Sequence, residues 1–98
     1  MKVFFSPEVS ELLEKLSRAD RSRLDRTREF FEEYGFSVGP KYVKKITKSG
    51  IWELRAGKLR LFLCIKGDSA RGVSLIYKKS QKLNLKDLRL AEKRCKEL

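Results

Sequence analysis

The spacing of apolar residues changes part-way along the chain, and this change constrains the fold more than any other feature. Between Pro7 and Tyr34 apolar positions recur every three or four residues, whereas between Lys41 and Tyr77 they alternate. A repeat of three and four makes one stripe along a helix, and a repeat of two makes one face of a strand. Local signals agree with that division. Lys2-Val3-Phe4-Phe5 reads as a short strand, and Ser6 then offers an N-cap with Pro7 at the first helical position, where its missing N–H costs nothing. Val9, Leu12, Leu13 and Leu16 predict a first helix from Pro7 to about Ser17. Asp20 can cap a second, on which Leu24, Thr27, Phe31 and Tyr34 keep helical spacing, and Gly35 closes it with the left-handed conformation that helix ends favour. Beyond the loop 36–40, alternation predicts four strands: Lys41 to Thr47, Ile51 to Ala56, Leu59 to Lys66 and Val73 to Tyr77, separated by glycine-bearing turns. Asn84 can cap a last helix from Leu85 to about Glu97, with Leu88, Ala91 and Cys95 inward.

The order β-α-α-β-β-β-β-α, with short connections between the later strands, predicts a single α+β domain over residues 1–98. An N-terminal strand and a helical hairpin pack on a mostly antiparallel, twisted sheet of four to five strands, followed by a C-terminal helix. The helices are expected on one face, with the other left to solvent or a ligand. A chain of 98 residues has room for one modest core. Cys64 and Cys95 show no CxxC spacing and read as two small buried hydrophobes. Histidine is absent, which removes the commonest general base and the commonest metal ligand, so neither a metal nor another cofactor is expected. Any chemistry must come from Lys, Arg, Asp, Glu or Tyr.

The net charge of +11 is unevenly spread: residues 1–36 hold 7 Lys and Arg against 8 Asp and Glu, while residues 37–98 hold 17 against 5. Such asymmetry bears on partners rather than fold and points to a polyanion. Nucleic acid fits better than membrane, since no apolar run approaches the roughly 20 residues of a spanning helix. The opening apolar stretch is too short for a signal sequence, and a cytoplasmic protein is expected.

Taking Ala56-Gly57 as a two-residue turn pairs Arg55 with Lys58 and sets Glu53 opposite Arg60 and Ile51 opposite Phe62. Glu53, Arg55, Lys58 and Arg60 then share the open face, with Phe62 beside Arg60 where a base could stack. Trp52, Leu54, Leu59, Leu61 and Leu63 share the core face. One acid answers one cation and leaves the others for a partner. If Val73, Leu75 and Tyr77 face the core, strand parity brings Lys78 to the open side, with Lys79 at the strand end. Lys41, Lys44, Lys45 and Lys48 form a second cluster, and Lys82, Lys86, Arg89, Lys93 and Lys96 form a stripe along the last helix. These are candidate contacts to an RNA backbone. The alternative for each is a solvated charged surface, on which the Glu53–Arg60 pair contributes a few tenths to about 1 kcal/mol.

Trp52-Glu53-Leu54-Arg55, Arg60 at the start of the next strand, Lys78-Lys79 with Ser80-Gln81-Lys82, and Ala91 three residues before Arg94 occur in an order that resembles the RelE/ParE toxin superfamily, and within it the phage-related HigB-like branch. The resemblance implies a RelE-like fold and the toxin of a type II toxin-antitoxin pair. Such a toxin is an endoribonuclease that cuts mRNA, usually in the ribosome A site, by activating a ribose 2′-hydroxyl against the adjacent phosphate. It implies Arg60 on the phosphate and Lys79 on the leaving-group side, with Lys78 beside it; Arg55 completes the candidate catalytic set. The expected partners are mRNA, the ribosome and an acidic antitoxin, a helix-turn-helix protein. Two positions depart from the pattern: Glu53 stands where some relatives carry a lysine, and Leu88 where others carry a tyrosine, which leaves the general acid or base unassigned. The physics is compatible, because a reaction whose nucleophile belongs to the substrate asks the protein for positioning and for cations, each worth roughly 10²–10³ in rate. A ParE-like toxin that binds DNA gyrase without cutting, and a non-catalytic RNA- or ribosome-binding module, are the competing readings.

Overall fold

A computed structural model of the chain describes residues 1–46, 48, 50–78 and 84–98. Strand β1 (Lys2–Phe5) leads into helices α1 (Pro7–Glu14) and α2 (Arg18–Tyr34), and a 3-10 turn follows at Gly35–Val38. Strands β2 (Val43–Lys45), β3 (Ile51–Ala56), β4 (Leu59–Lys66) and β5 (Ser69–Tyr77) then precede helix α3 (Leu85–Lys96). The five strands make one sheet in the order β1-β5-β4-β3-β2, in which β1 and β5 are parallel and the other neighbours antiparallel. Since β1 and β2 occupy opposite edges, the α1–α2 hairpin between them must cross a face of the sheet.

The helix boundaries follow from their caps. Ser6 Oγ accepts from the Val9 N–H at 3.2 Å, with Pro7 in the first turn. α1 stops at Glu14, short of the expected Ser17, because the Lys15 and Leu16 amides tighten back onto the carbonyls of Leu12 and Leu13. That frees Ser17 to cap α2 in place of Asp20: its Oγ accepts from the Asp20 N–H at 3.1 Å. Asp20 instead sits in the first turn, where a carboxylate suits the positive end of the helix and where it accepts the Tyr77 hydroxyl at 2.6 Å. Gly35, at φ 62°, ends α2 as expected.

β3 and β4 occupy the expected spans, but their register differs. The turn is Gly57-Lys58, so Arg55 pairs with Arg60, Glu53 with Phe62 and Ile51 with Cys64. Gly57 has φ 60° while Lys58 has an ordinary negative φ, the pattern of a turn with glycine first of its two central residues. The pairing moves by two residues, so every side chain keeps its expected face. β5 begins at Ser69 rather than Val73, since parallel pairing with β1 recruits Ser69 through Gly72 into the sheet. A bulge opposite Phe62 and Leu63 leaves Val73 without a partner on β4 and turns it away from Leu75.

Two cores result. Beneath α1 and α2, the buried Val9, Leu13, Leu24 and Phe31 meet Leu54, Leu59, Leu61, Leu63 and Leu75 of the sheet. On the reverse face Ile51, Phe62, Cys64 and Val73 meet Ala91 of α3, with Leu88 and Cys95 partly buried. That face is therefore not left open, as the sequence suggests, but half covered. The cysteines are not separate small hydrophobes either: Cys64 of β4 and Cys95 of α3 form a disulfide, Cα to Cα 5.8 Å. Arg94 adds a second tie, its Nη1 donating to Val73 O at 2.8 Å and Ser74 Oγ at 3.0 Å. Among the described residues no helix is long and apolar enough to cross a membrane.

Candidate nucleic-acid interface

Where α3 stops covering the reverse face, charge takes over. Glu53 lies in the middle of β3 and is buried, yet carries a carboxylate. Burying that charge is tolerable only with partners, and Oε1 has two: Arg55 Nε at 3.1 Å and Arg60 Nε at 3.5 Å. Arg55 and Glu53 sit two apart on one strand and Arg60 lies diagonally across on β4, so strand alternation alone aims all three side chains to one side.

The Arg60 guanidinium is held from several directions. Its Nη1 donates to Gly57 O at 2.6 Å and to Leu59 O at 2.8 Å, which ties it to the turn that made the register. Only 12% of the side chain is exposed, and Nε is buried without a hydrogen bond. Burial lowers its hold on its proton below the ordinary arginine value, Glu53 opposes that shift, and the neighbouring Arg55 charge adds to it. Arg55 is anchored by Nη1 to Pro40 O at 3.2 Å.

Beside this trio is a cleft of about 270 Å³ lined by Lys44, Lys45, Ile46, Glu53, Arg55 and Lys78. Lys44 pairs with Glu53 across the β2–β3 ladder, which sets both on the same face. Lys78 follows β5 and donates its N–H to Lys58 O at 2.8 Å, bringing it beside the Gly57-Lys58 turn. The structure thus sets Arg55, Arg60, Lys44 and Lys78 on the side of one carboxylate, with Lys45 at the cleft's edge. One buried acid orients two guanidiniums and leaves the cleft with an excess of positive charge, an arrangement suited to a phosphate group.

Other sequence-predicted residues fall elsewhere. Lys58 is exposed on the turn, and Lys48 is exposed between β2 and β3, away from the cleft lining. Lys86, Arg89 and Lys93 are exposed on α3, consistent with a stripe pointing away from the second core. Lys79 and Lys82 lie outside the described residues. Phe62 is a correction: it is 0% exposed in the second core under α3, where no base can reach it. Parity put it on the right face but could not reveal that a helix covers that position. Tyr34 is a second correction, being 54% exposed instead of joining the apolar stripe of α2. It contacts Phe30, a surface aromatic that sequence reasoning missed and that the four-residue spacing of the two could have revealed.

The sequence profile described as "Phage derived protein Gp49-like" matches residues 11–96. The chain belongs to the phage-derived Gp49-like family. No curated protein matches it. Among solved structures, a chain of the archaeal RelE-RelB complex from Pyrococcus horikoshii OT3 superposes with a TM-score of 0.67 at 20% identity, over 80% of this chain and 94% of that one. The fold of this Gp49-like chain is therefore RelE-like: among the described residues, a five-stranded mixed sheet with three α-helices.

Proposed function

We propose that this Gp49-like protein is the toxin of a toxin-antitoxin pair and that it cleaves mRNA on the ribosome. The observation that carries the reading is the Arg55–Glu53–Arg60 cluster beside a lysine-lined cleft. Family and fold support the toxin role, and a protein of this fold found in complex with RelB supports an antitoxin partner.

In this mechanism the substrate supplies its own nucleophile. A ribose 2′-oxygen attacks the adjacent phosphorus, the bond from phosphorus to the 5′-oxygen breaks, and the proton lost by the 2′-hydroxyl is balanced by one gained by the leaving 5′-oxygen. The products are a 2′,3′-cyclic phosphate and a 5′-hydroxyl. Arg60, already fixed through Nη1 beside the cleft, is the charge for the phosphate oxygens and needs little reorganisation as charge builds there. Glu53 holds both guanidiniums in place and is a positioning residue. The resemblance gives the leaving-group side to Lys79, with Lys78, which lines the cleft, as its neighbour. Lys44, Lys45, Lys58 and the α3 cations Lys86, Arg89 and Lys93 hold flanking phosphates, which adds affinity without sequence preference. Lys48 is assigned the same role, and so, on its place in the sequence alone, is Lys82.

The experiment is translation on programmed ribosomes with wild type and Arg60→Ala, reading message ends by primer extension and end-group analysis. Cleavage by the wild type with cyclic-phosphate ends, reduced about 10²–10³-fold in Arg60→Ala, is the expected result. Intact message together with inhibited gyrase supercoiling would replace this reading with a non-cutting toxin. Intact message with intact supercoiling but tight ribosome binding would leave a binding module.

A further inference from the structure

Phe30 and Tyr34 on α2 are 38% and 54% exposed, although Phe31 between them is fully buried in the first core. Their rings meet edge to face at 5.2 Å, and Phe30 meets Tyr42, just before β2, in the same way at 5.2 Å. No ring of the trio is stacked face to face on another. Lys41 Nζ lies 5.5 Å from the centre of the Tyr42 ring. At about 100° per residue, Arg23, Phe30 and Tyr34 fall within about 40° of one another, bordering the buried side of α2, while Glu29 and Glu33 lie on the outer flank. The trio is therefore bordered by Lys41 at Tyr42 and by acids on the outer flank of α2.

The patch is tied to the cleft through the segment before β2. The Arg55 N–H donates to Tyr42 O at 2.7 Å, and Arg55 Nη1 donates to Pro40 O at 3.2 Å. The segment that carries Lys41 and Tyr42 is thus hydrogen-bonded to an arginine of the candidate site.

We propose that Phe30, Tyr34 and Tyr42 form a stacking platform for single-stranded RNA leaving the cleft, with Lys41 on its phosphates. The proposal rests on the RNA-cutting reading of the cleft and extends it to how the substrate is held. Every base has an aromatic face, so exposed rings beside lysines grip a single strand without reading its sequence. Lys41 beside the Tyr42 ring favours a nucleic acid over a protein segment, since a phosphate backbone accompanies stacked bases.

The test uses a fluorescein-labelled oligouridine with 2′-O-methyl ribose, which cannot be cut, and follows binding by anisotropy. Phe30→Ala/Tyr34→Ala should bind about tenfold more weakly. Phe30→Tyr/Tyr34→Phe should bind like wild type, since stacking needs a ring and not a particular ring. The salt dependence of the alanine variant should match wild type, because stacking releases no counterions. Its cutting rate at saturating message should also be unchanged. Undiminished affinity in the alanine variant overturns the platform whatever the cleft does, and if self-association is lost at the same time, the patch is a protein interface. Weakened RNA binding with cutting intact in Arg60→Ala would instead sink the cleft reading and leave the platform standing. Photo-crosslinking of wild type with a 4-thiouridine oligonucleotide needs no variant to fold: adducts on Phe30, Tyr34 or Tyr42 are expected, and adducts confined to other residues overturn the proposal.

Discussion

The two faces of the sheet share the same strands but are covered very differently. Under α1 and α2, thirteen described apolar residues are buried, against five under α3, and the smaller core needs a disulfide and the Arg94 hydrogen bonds to hold its helix. A twelve-residue helix is marginal alone and stays where packing or a cross-link keeps it. The difference teaches how a small domain finds room for a charged site. One face carries the stability, and the other is covered only as far as a short helix reaches, which leaves its remainder for Glu53, Arg55 and Arg60.

This contrast can be broken by experiment. The largest effect is expected from Phe31→Ala, which empties the centre of the first core and should cost about 3–5 kcal/mol in urea unfolding. A loss below 1 kcal/mol would mean that this face does not carry the stability. Replacing both Cys64 and Cys95 by Ser should cost about 2–4 kcal/mol. Hydrogen exchange should then show α3 losing protection first while α1 and α2 keep theirs, and equal loss everywhere would show that the two cores unfold as one. Glu53→Gln should cost about 1–3 kcal/mol, because two arginines lose the charge between them, one of them largely buried. It should also reduce cleavage while leaving the affinity for uncleavable RNA little changed; full cleavage activity would remove Glu53 from its positioning role.

The smallest effect concerns the hydroxyl of Tyr77, whose pKa is raised chiefly by its hydrogen bond to Asp20. A folded pKa above the unfolded one means that the folded state keeps a proton that the unfolded chain gives up. The contribution is therefore present below about pH 10, the ordinary tyrosine value, and fades as pH rises from there through the raised value. Tyr77→Phe should flatten stability against pH in that alkaline window alone, and the same slope in variant and wild type would show that the hydrogen bond does not persist in solution.

Much of this was legible locally. β3 and β4 were readable because their alternation is bounded by glycine turns, and α3 because Asn84 caps it, accepting from the Lys86 N–H at 2.9 Å. Arg55, Arg60 and Lys78 could be placed together by parity, which survives a register error of two. What escaped the sequence is long-range. Nothing near Ser69 announces that β1 will pair with it, nothing in Val73 marks a bulge, and the Cys64–Cys95 spacing matches no motif. The fate of Phe62 depended on where α3 lands, a tertiary fact that no strand pattern contains. The cap exchange between Ser17 and Asp20 had the opposite cause, two adequate local signals between which the shortened end of α1 decided.

The parallel pairing of β1 with β5 sets the order in which the molecule can be completed. Lys2 pairs with Ser69 and Phe5 with Gly72, so the first strand made waits for the last. At cellular synthesis rates that wait is on the order of seconds, and closing so long a loop is intrinsically slow. During it the α1–α2 hairpin exists without the strands it will cover, and β4, which carries Arg60, lacks a neighbour on one side. The nascent chain therefore spends its early life with its apolar hairpin exposed and its cationic cleft unbuilt, a stage at which binding by another molecule would meet a different surface from that of the finished protein.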